Sequence, residues 1–241
     1  MKLAISTILL AVVGALSVGT TLAFERDSFE TEGGKMTIHF IGHGSLMIHY
    51  NSLVIHVDPV GRYADYGKLH KADIILVTHE HSDHLDAKAV SQIEKKGTRL
   101  FINQAGRQQL GKGQALSNGD SAKVKGIKIA AVPAYNTTPG RDQFHPKGRG
   151  NGYVLQLGCK RVYIAGDTED IPEMSDLQNI DIAFLPINQP YTMTPQQLAR
   201  AVKMIRPKVV YPYHYGDTNL SGLSDLFNDM PGVEMRIRSM K

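Results

Sequence analysis

The run DIILVTHEHSDHLD at positions 73–86 joins two patterns around which the rest of the chain is organised. Asp73 to Thr78 has the apolar, β-branched content of a buried strand, and it leads straight into His79-Glu80-His81-Ser82-Asp83-His84. In an extended or turning segment just after a strand, side chains alternate with a period of two, so His79 and His81 project the same way and can share one metal. Asp83 and His84 follow where the chain must turn into a helix begun at Asp86, so they can face a second metal beside the first. Neutral imidazole and carboxylate are donors that zinc, manganese and iron all accept. A single His-x-His reads as a polar loop. Three histidines and an aspartate within six residues, placed behind a buried strand, read as a metal site.

Upstream of this run, Met36 to Ile41, Leu46 to Tyr50 and Leu53 to Val57 are short Ile-, Val- and aromatic-rich segments separated by Gly42-His43-Gly44 and Asn51-Ser52. That spacing predicts an antiparallel meander opened by hairpins. Downstream, Asp86 caps a helix with Val90 and Ile93 on one face and Gly97 as its stop. Strands are expected over Arg99 to Ile102, Ala122 to Lys125, Ile127 to Val132, Tyr153 to Leu157, Arg161 to Ala165 and Ile180 to Pro186. Thr194-Pro195-Gln196-Gln197 supplies a cap, a first-turn proline and a capping-box glutamine for a helix ending near Ile205, before Pro207. Lys208 to Tyr213 is a strand delivering His214, Ser221 to Asp229 a short helix and Val233 to Arg238 a last strand. No internal repeat or low-complexity segment interrupts this order. Two clusters of strands, each followed by helices, predict an α/β (α+β) four-layer αββα sandwich. A three-layer α/β fold is the runner-up, disfavoured by the hairpin spacing of the first third.

The chain has 241 residues, 42% of them hydrophobic and 21% charged, enough for one large domain with a proper core, expected over 36–241. Lys2, the apolar run from Leu3 to Leu16 and the small residues leading to Thr21-Leu22-Ala23 predict a secretory leader over 1–23, with an uncleaved membrane anchor as the alternative. Residues 24–35 are polar and glycine-containing, as expected of a flexible lead-in. Cys159 is the only cysteine, so no intramolecular disulfide can form, and a periplasmic or secreted location is read from the leader alone. The net charge is +4, yet the basic residues are scattered, and nucleic acid is disfavoured as a partner because no concentrated basic arm exists. The one local basic group is Arg141, Lys147 and Arg149, around His145.

HEHSDH matches the H-x-H-x-D-H signature of the metallo-β-lactamase superfamily, and the resemblance spans roughly Met36 to Gly216. It implies the αββα metallo-β-lactamase fold. It also implies that His145, in FHPKGRGNGYVL, completes the first metal site with His79 and His81, and that Asp167, in YIAGDT, bridges both ions. By the same resemblance His214, in PYHYG, joins Asp83 and His84 at the second. Taken singly, these three outlying residues read better as a loop histidine, a turn or cap residue and a packed histidine; taken together, each follows or adjoins a strand in the order the resemblance requires. More narrowly, GHGSLMI, Asp58-Pro59, Asp167-Thr168 and the PYTM segment Pro190 to Met193 resemble the branch containing L-ascorbate-6-phosphate lactonase and N-acylphosphatidylethanolamine phospholipase D. Two departures carry information. The commonest β-lactamases of this superfamily have a cysteine where this chain has Asp167, which disfavours antibiotic hydrolysis. Diiron relatives have a glutamate where His81 stands, which disfavours oxygen reduction.

These readings predict an exported, lactonase-like hydrolase holding two divalent ions, zinc by default for so histidine-rich a set, with manganese or iron fitting the same donors. The two ions would share a hydroxide that cleaves an ester, lactone or phosphodiester bond of a small anionic substrate. Asp83 is expected to orient that hydroxide and carry its proton, and Asp58 to accept a hydrogen bond from a ligating imidazole. Tyr191 and Tyr213 are candidates for contacting a bound oxyanion. His43 is read as loop packing, and His39, His49, His56 and His70 as structural or surface residues. Two alternatives stand beside this reading: a phospholipase D-like enzyme held at a membrane by an uncleaved leader, and a metal-binding protein without turnover.

Overall fold

Alternation along the DIILVT strand sends Ile74 and Leu76 into one hydrophobic core and Ile75 and Val77 into another. A strand buried on both faces must lie inside a layered structure, and the computed structural model, which describes residues 24–240, shows the layers. The first sheet has the spatial order β1 (Arg26–Thr31), β2 (Gly34–Gly42), β3 (Ser45–Tyr50), β4 (Leu53–Val57), β5 (Ile74–Val77), β6 (Arg99–Ile102), β7 (Gln114–Ala115). The second is built from β8 (Ser121–Val124), β9 (Ile127–Ala134), β10 (Gly150–Leu157), β11 (Lys160–Ile164), β12 (Ile182–Pro186), β13 (Val209–Tyr213) and β14 (Glu234–Met235), also in sequential order. Each sheet begins as an antiparallel meander and ends as a parallel set, the change falling at β4 and β5 in the first and at β11 and β12 in the second.

The shared core lies between the sheets and is filled by Phe40, Leu46, Ile48, Phe101, Tyr153, Phe184 and Tyr211, among others. Helix α1 (Ala87–Ile93) packs Ala89, Val90 and Ile93 onto Ile75, Val77, Leu100 and Ile102 on the outer face of the first sheet, where α2 (Gln104–Leu110) adds Leu110. Helix α3 (Pro195–Ile205) buries Leu198, Ala201, Val202 and Ile205 in the core to which the second sheet contributes. Burying one such side chain stabilises the fold by roughly 1.5–3 kcal/mol, so each amphipathic face accounts for its helix's docking. The result is the expected αββα sandwich.

Local signals placed most boundaries. Asp86 accepts hydrogen bonds from the N–H groups of Lys88 (2.8 Å) and Ala89 (3.2 Å), and Thr194 with Gln197 forms the capping box. Helix α1 ends at Ile93 rather than at Gly97, because the Ile93 carbonyl accepts from Ala72 N–H (2.8 Å) and Glu94 turns extended.

Other boundaries differ from expectation. The polar segment expected as a flexible lead-in is the edge strand β1, paired along its length with β2. What anchors it is distant in sequence: Asp27 accepts from the guanidinium of Arg238 (2.8 Å), from Arg236 (3.2 Å) and from the Tyr211 hydroxyl. Helix α2 was not anticipated, since only Gly106 of its residues is buried, although Asn103 caps it and Gly111 ends it in the left-handed conformation. The expected helix over Ser221 to Asp229 is a 3-10 turn at Leu223–Phe227, and the last strand shrinks to Glu234–Met235. The expected leader, residues 1–23, lies outside the described residues; among these, no helix is long and apolar enough to cross a membrane.

Candidate metal centre

All seven residues expected as ligands come together at one edge of the sandwich, in segments that leave the ends of strands. His79, His81, Asp83 and His84 follow β5, Asp167 follows β11, His214 follows β13, and His145 hangs in the loop between β9 and β10. Parallel strands expose their carboxyl ends on a common edge, which is where open α/β sheets assemble sites. The turn after β5 is closed by the His81 carbonyl, which accepts from both His84 N–H (2.9 Å) and Leu85 N–H (2.8 Å). Asn136 N–H donates to the His145 carbonyl (2.8 Å) across the neck of its loop. Gly166 precedes Asp167 with φ +66°, and a Cβ there would lie 2.7 Å from the Asn151 carbonyl, so only glycine lets β11 turn inward at this point.

Donor atoms within 4.8 Å of one another fall into three sets: His79, His81 and His145; His79, His84 and Asp167; and Asp83, His84 and His214 together with His43. Asp167 stands between the first and last of these. Its Oδ2 lies 3.2 Å from His145 Nε2 and 3.3 Å from His214 Nε2, while its Oδ1 is 3.4 Å from His84 Nε2. Asp83 Oδ2 is 3.5 Å from His214 Nε2 and 3.3 Å from His43 Nε2.

The hydrogen bonds behind these groups show what the set is built to hold. Asp58, fully buried, accepts from His84 Nδ1 (2.8 Å) and from the Thr78 hydroxyl (2.7 Å) and N–H (2.7 Å). The Thr78 hydroxyl has given its one proton to Asp58, so towards His79 Nδ1 (3.0 Å) it can only accept. His145 Nδ1 donates to the Tyr191 carbonyl (3.1 Å). In each of these three imidazoles the Nδ1 proton is committed to an oxygen, which leaves the Nε2 lone pair of the neutral ring facing the centre. The Nε2 atoms of His84, His145 and His214, and Asp167 Oδ1, are buried without a hydrogen-bond partner. Lone pairs converging on carboxylates in a buried space repel one another unless a cation lies between them, and a nitrogen- and oxygen-donor set of this kind fits a divalent ion.

Charge follows the same design. Burial alone would push the Asp167 and Asp83 carboxyls up. The neighbouring imidazoles, His214 and His84 for Asp167 and His214 and His43 for Asp83, hold both well below the usual carboxylate range. Burial would likewise lower His84, but Asp167 and Asp58 hold it well above the usual imidazole value, so these carboxylates draw a positive charge to this position, and a metal ion binding at Nε2 would supply it in place of a proton. His79 and His81 are pushed down, first by burial and then by the neighbouring rings, His84 for the former and His145 for the latter. Both therefore favour the neutral form that a metal requires.

Other expectations turn out differently. His43, read as loop packing, belongs to the second donor group; its ring packs 3.7 Å from that of His214, and its carbonyl accepts from His214 N–H (3.0 Å). The sequence signs were its place in a two-glycine turn and in GHGSLMI, a segment that carries the family resemblance. Tyr213 does not contact the cavity: it is fully buried, and its hydroxyl accepts from Gly166 N–H (2.8 Å), so it braces the Asp167 turn from behind. Tyr191 does line the cavity and is 45% exposed. The three basic residues around His145 are each matched by a carboxylate: Arg141 by Glu169 (3.0 Å), Lys147 by Glu173 (2.9 Å) and Arg149 by Glu80. Thr78, Arg62 and Tyr63, which no motif marked, complete the surroundings. The cavity beside the centre, about 340 Å³, is bounded by Arg62, Tyr63, Phe144, Asn188 and Tyr191. A larger cleft of about 630 Å³ near Cys159 and Lys203 holds none of these donors.

Comparison with known proteins agrees with this geometry. The family described as "Beta-lactamase superfamily domain" matches residues 37–214. A UPF0173 metal-dependent hydrolase from Thermococcus onnurineus is 33% identical over 196 residues, covering 74% of this chain and 84% of the relative. A crystal structure from Parabacteroides distasonis, of a protein described as a metal-dependent hydrolase, superposes with a TM-score of 0.88 at 56% identity, over 91% of this chain and 100% of that one. Igni18, a metallo hydrolase from Ignicoccus hospitalis, shares the fold with a TM-score of 0.70 at 24% identity, over 85% of this chain and 95% of its own.

Proposed function

The chain belongs to the metallo-β-lactamase superfamily and, within it, to the UPF0173 metal-dependent hydrolase family, and from that premise we propose that it is an exported binuclear hydrolase cleaving an ester, lactone or phosphodiester bond of a small anionic substrate. The observation that carries this reading is the division of seven donors into two groups that meet at Asp167. His79, His81 and His145 would hold one divalent ion, Asp83, His84 and His214 the other, with Asp167 between them. Zinc is the first choice, and manganese or iron suits the same donors. Bound ions of this kind supply water acidic enough to lose a proton near pH 7 and polarise the oxygen of the bond to be cleaved.

The chain's own residues supply orientation and proton handling. Asp58 and the Tyr191 carbonyl fix the tautomers of His84 and His145, and Thr78 that of His79, so each ring presents Nε2 without rearrangement. Asp83, whose side chain is 35% exposed, faces the cavity and is the carboxylate placed to take the proton shed by the attacking water. In hydrolysis the water oxygen bonds to the carbonyl carbon or phosphorus, the bond to the leaving oxygen breaks, and that proton ends on the leaving group. The size of the cavity suits a small substrate. The narrower likeness to the lactonase and phospholipase D branch puts lactones and phosphodiesters high among substrates to test, and the composition of residues 1–23 supports export. The test is elemental analysis of the purified protein followed by an ester, lactone and phosphodiester panel on the metal-loaded form. Two ions per chain with turnover is the expected result, and a metal-replete protein inert on the whole panel would overturn the assignment.

A further inference from the structure

Of the cationic side chains on the segments that carry His145 and the cavity wall, three are already neutralised. Arg141, Lys147 and Arg149 each meet a carboxylate, as described above. Arg62 differs: it lines the cavity, is exposed, and makes no ion pair among the described residues. Its place is set by a stack that leads out from the centre. The ring of His43 lies 3.7 Å from His214, and the ring of Tyr63 lies 5.5 Å from His43, nearly parallel at 22°. The guanidinium sits beside the Tyr63 hydroxyl, whose acidity it raises against the opposing effects of burial and Asp83. Also on the cavity wall, Tyr191 and Phe144 meet edge to face with ring centres 5.1 Å apart, and Tyr191 is one of only two exposed large hydrophobic residues among those described.

We propose that Arg62 recognises a second anionic group on the substrate, separated by a short apolar segment from the bond that is cleaved. This deepens the hydrolase reading and rests on it for the position of the reacting bond. A guanidinium free of any protein carboxylate binds a carboxylate or phosphate through charge-assisted, bidentate hydrogen bonds. The Phe144 and Tyr191 rings give the intervening apolar segment a surface to lie on. A substrate with only one polar end would use the metal centre and leave Arg62 in water. The substrate class is therefore an ester, lactone or phosphodiester of a compound that carries a carboxylate or phosphate at its far end.

Binding is measured apart from turnover. Calorimetric titration of the metal-loaded protein with butyrate and with glutarate compares one carboxylate with two across the same three-carbon spacer. Glutarate is expected to bind about tenfold tighter, as one charge-assisted hydrogen-bonded pair allows. That advantage should vanish in Arg62→Ala, invert in Arg62→Glu and be largely kept in Arg62→Lys. Equal affinity of the wild type for both acids, or an advantage that survives Arg62→Glu, overturns the proposal. In parallel, the ratio of kcat/KM for the 4-nitrophenyl monoester of glutarate to that for 4-nitrophenyl butyrate should follow the binding ratio through the same variants. A variant that merely loosened the fold would lower both rates and leave the ratio unchanged, which would also overturn it. If neither ester is hydrolysed while the glutarate advantage depends on Arg62, the anion site stands and the hydrolase assignment fails.

Discussion

The ten histidines of this chain form two groups, and only one of them is built for a metal. His43, His79, His81, His84, His145 and His214 converge at the edge of the sandwich around Asp58, Asp83 and Asp167. His39, His49, His56 and His70 also cluster, on the outer side of β2, β3 and β4, with the rings of His39 and His49 and of His49 and His70 each 4.9 Å apart. No carboxylate bonds to any of these four among the described residues, and no three of their nitrogens converge as the donors of the first group do. Burial pushes His39 and His56 down to about 4 and lowers His49 as well, so these three rings are neutral. Ring density is thus similar in the two groups, and what separates them is whether lone pairs converge and whether carboxylates lie opposite.

The hardest test of that distinction removes a carboxylate from one group and a ring from the other. Asp167→Ala takes away the residue that four imidazoles face. Metal content per chain should collapse, and activity should fall by well over the roughly 100-fold that loss of an outer hydrogen-bond partner costs. His49→Ala should leave metal content unchanged. Elemental analysis of the two purified variants decides the matter, and metal lost equally from both would erase the distinction.

A smaller effect is expected one step behind the donors. Asp58→Asn keeps the shape but weakens the hold on His84 Nδ1, and affinity for the second ion should drop by about 10–100-fold. Competition with a chromophoric chelator measures it. Unchanged affinity would mean that Asp58 serves the Thr78 turn alone.

The first group was far more legible in sequence than the second, for a physical reason. His79, His81, Asp83 and His84 are local, and their spacing after DIILVT carries the geometry of a strand end. His145, Asp167 and His214 were identified through resemblance, because what aims them is contact between distant parts of the chain: Gly166 N–H on the Tyr213 hydroxyl, His214 N–H on the His43 carbonyl and His145 Nδ1 on the Tyr191 carbonyl. Layer order was readable from hairpin spacing and from the capping signals at Asp86 and Thr194. Strand β1 was not, since Arg236 and Arg238 hold Asp27 from more than two hundred positions away. Arg62 left no signal either: an arginine becomes conspicuous only when its neighbours are seen to be paired and it is not.

The outer group should announce itself in acid. His39 and His56 have folded-state values near 4, below the ordinary 6.5, so the unfolded chain binds more protons between these limits. Their contribution to stability is present above about pH 6.5 and is lost progressively as pH falls towards 4. For His56, the more deeply buried of the two, the loss is on the order of 2 kcal/mol. Urea unfolding of wild type and His56→Gln at pH 7 and pH 5 checks this, with the variant losing less stability between the two. A wild type equally stable at both would show that the outer rings are protonated in the folded state.

The smallest effect separates burial from charge within that outer group. His49 is lowered first by burial between the strands and second by the neighbouring His70, whose ring is stacked on it at an angle of 2°. His70 is exposed, so His70→Ala should change stability by no more than about 0.5 kcal/mol. It also removes the one like charge acting on His49. If burial is the larger cause, the titration of His49 followed by NMR should move up only part of the way towards the ordinary value, and His49 should still be neutral at pH 7. A full return to the ordinary value would mean that mutual repulsion, not desolvation, keeps these rings uncharged. The outer cluster would then differ from the metal centre only in lacking carboxylates to relieve that repulsion.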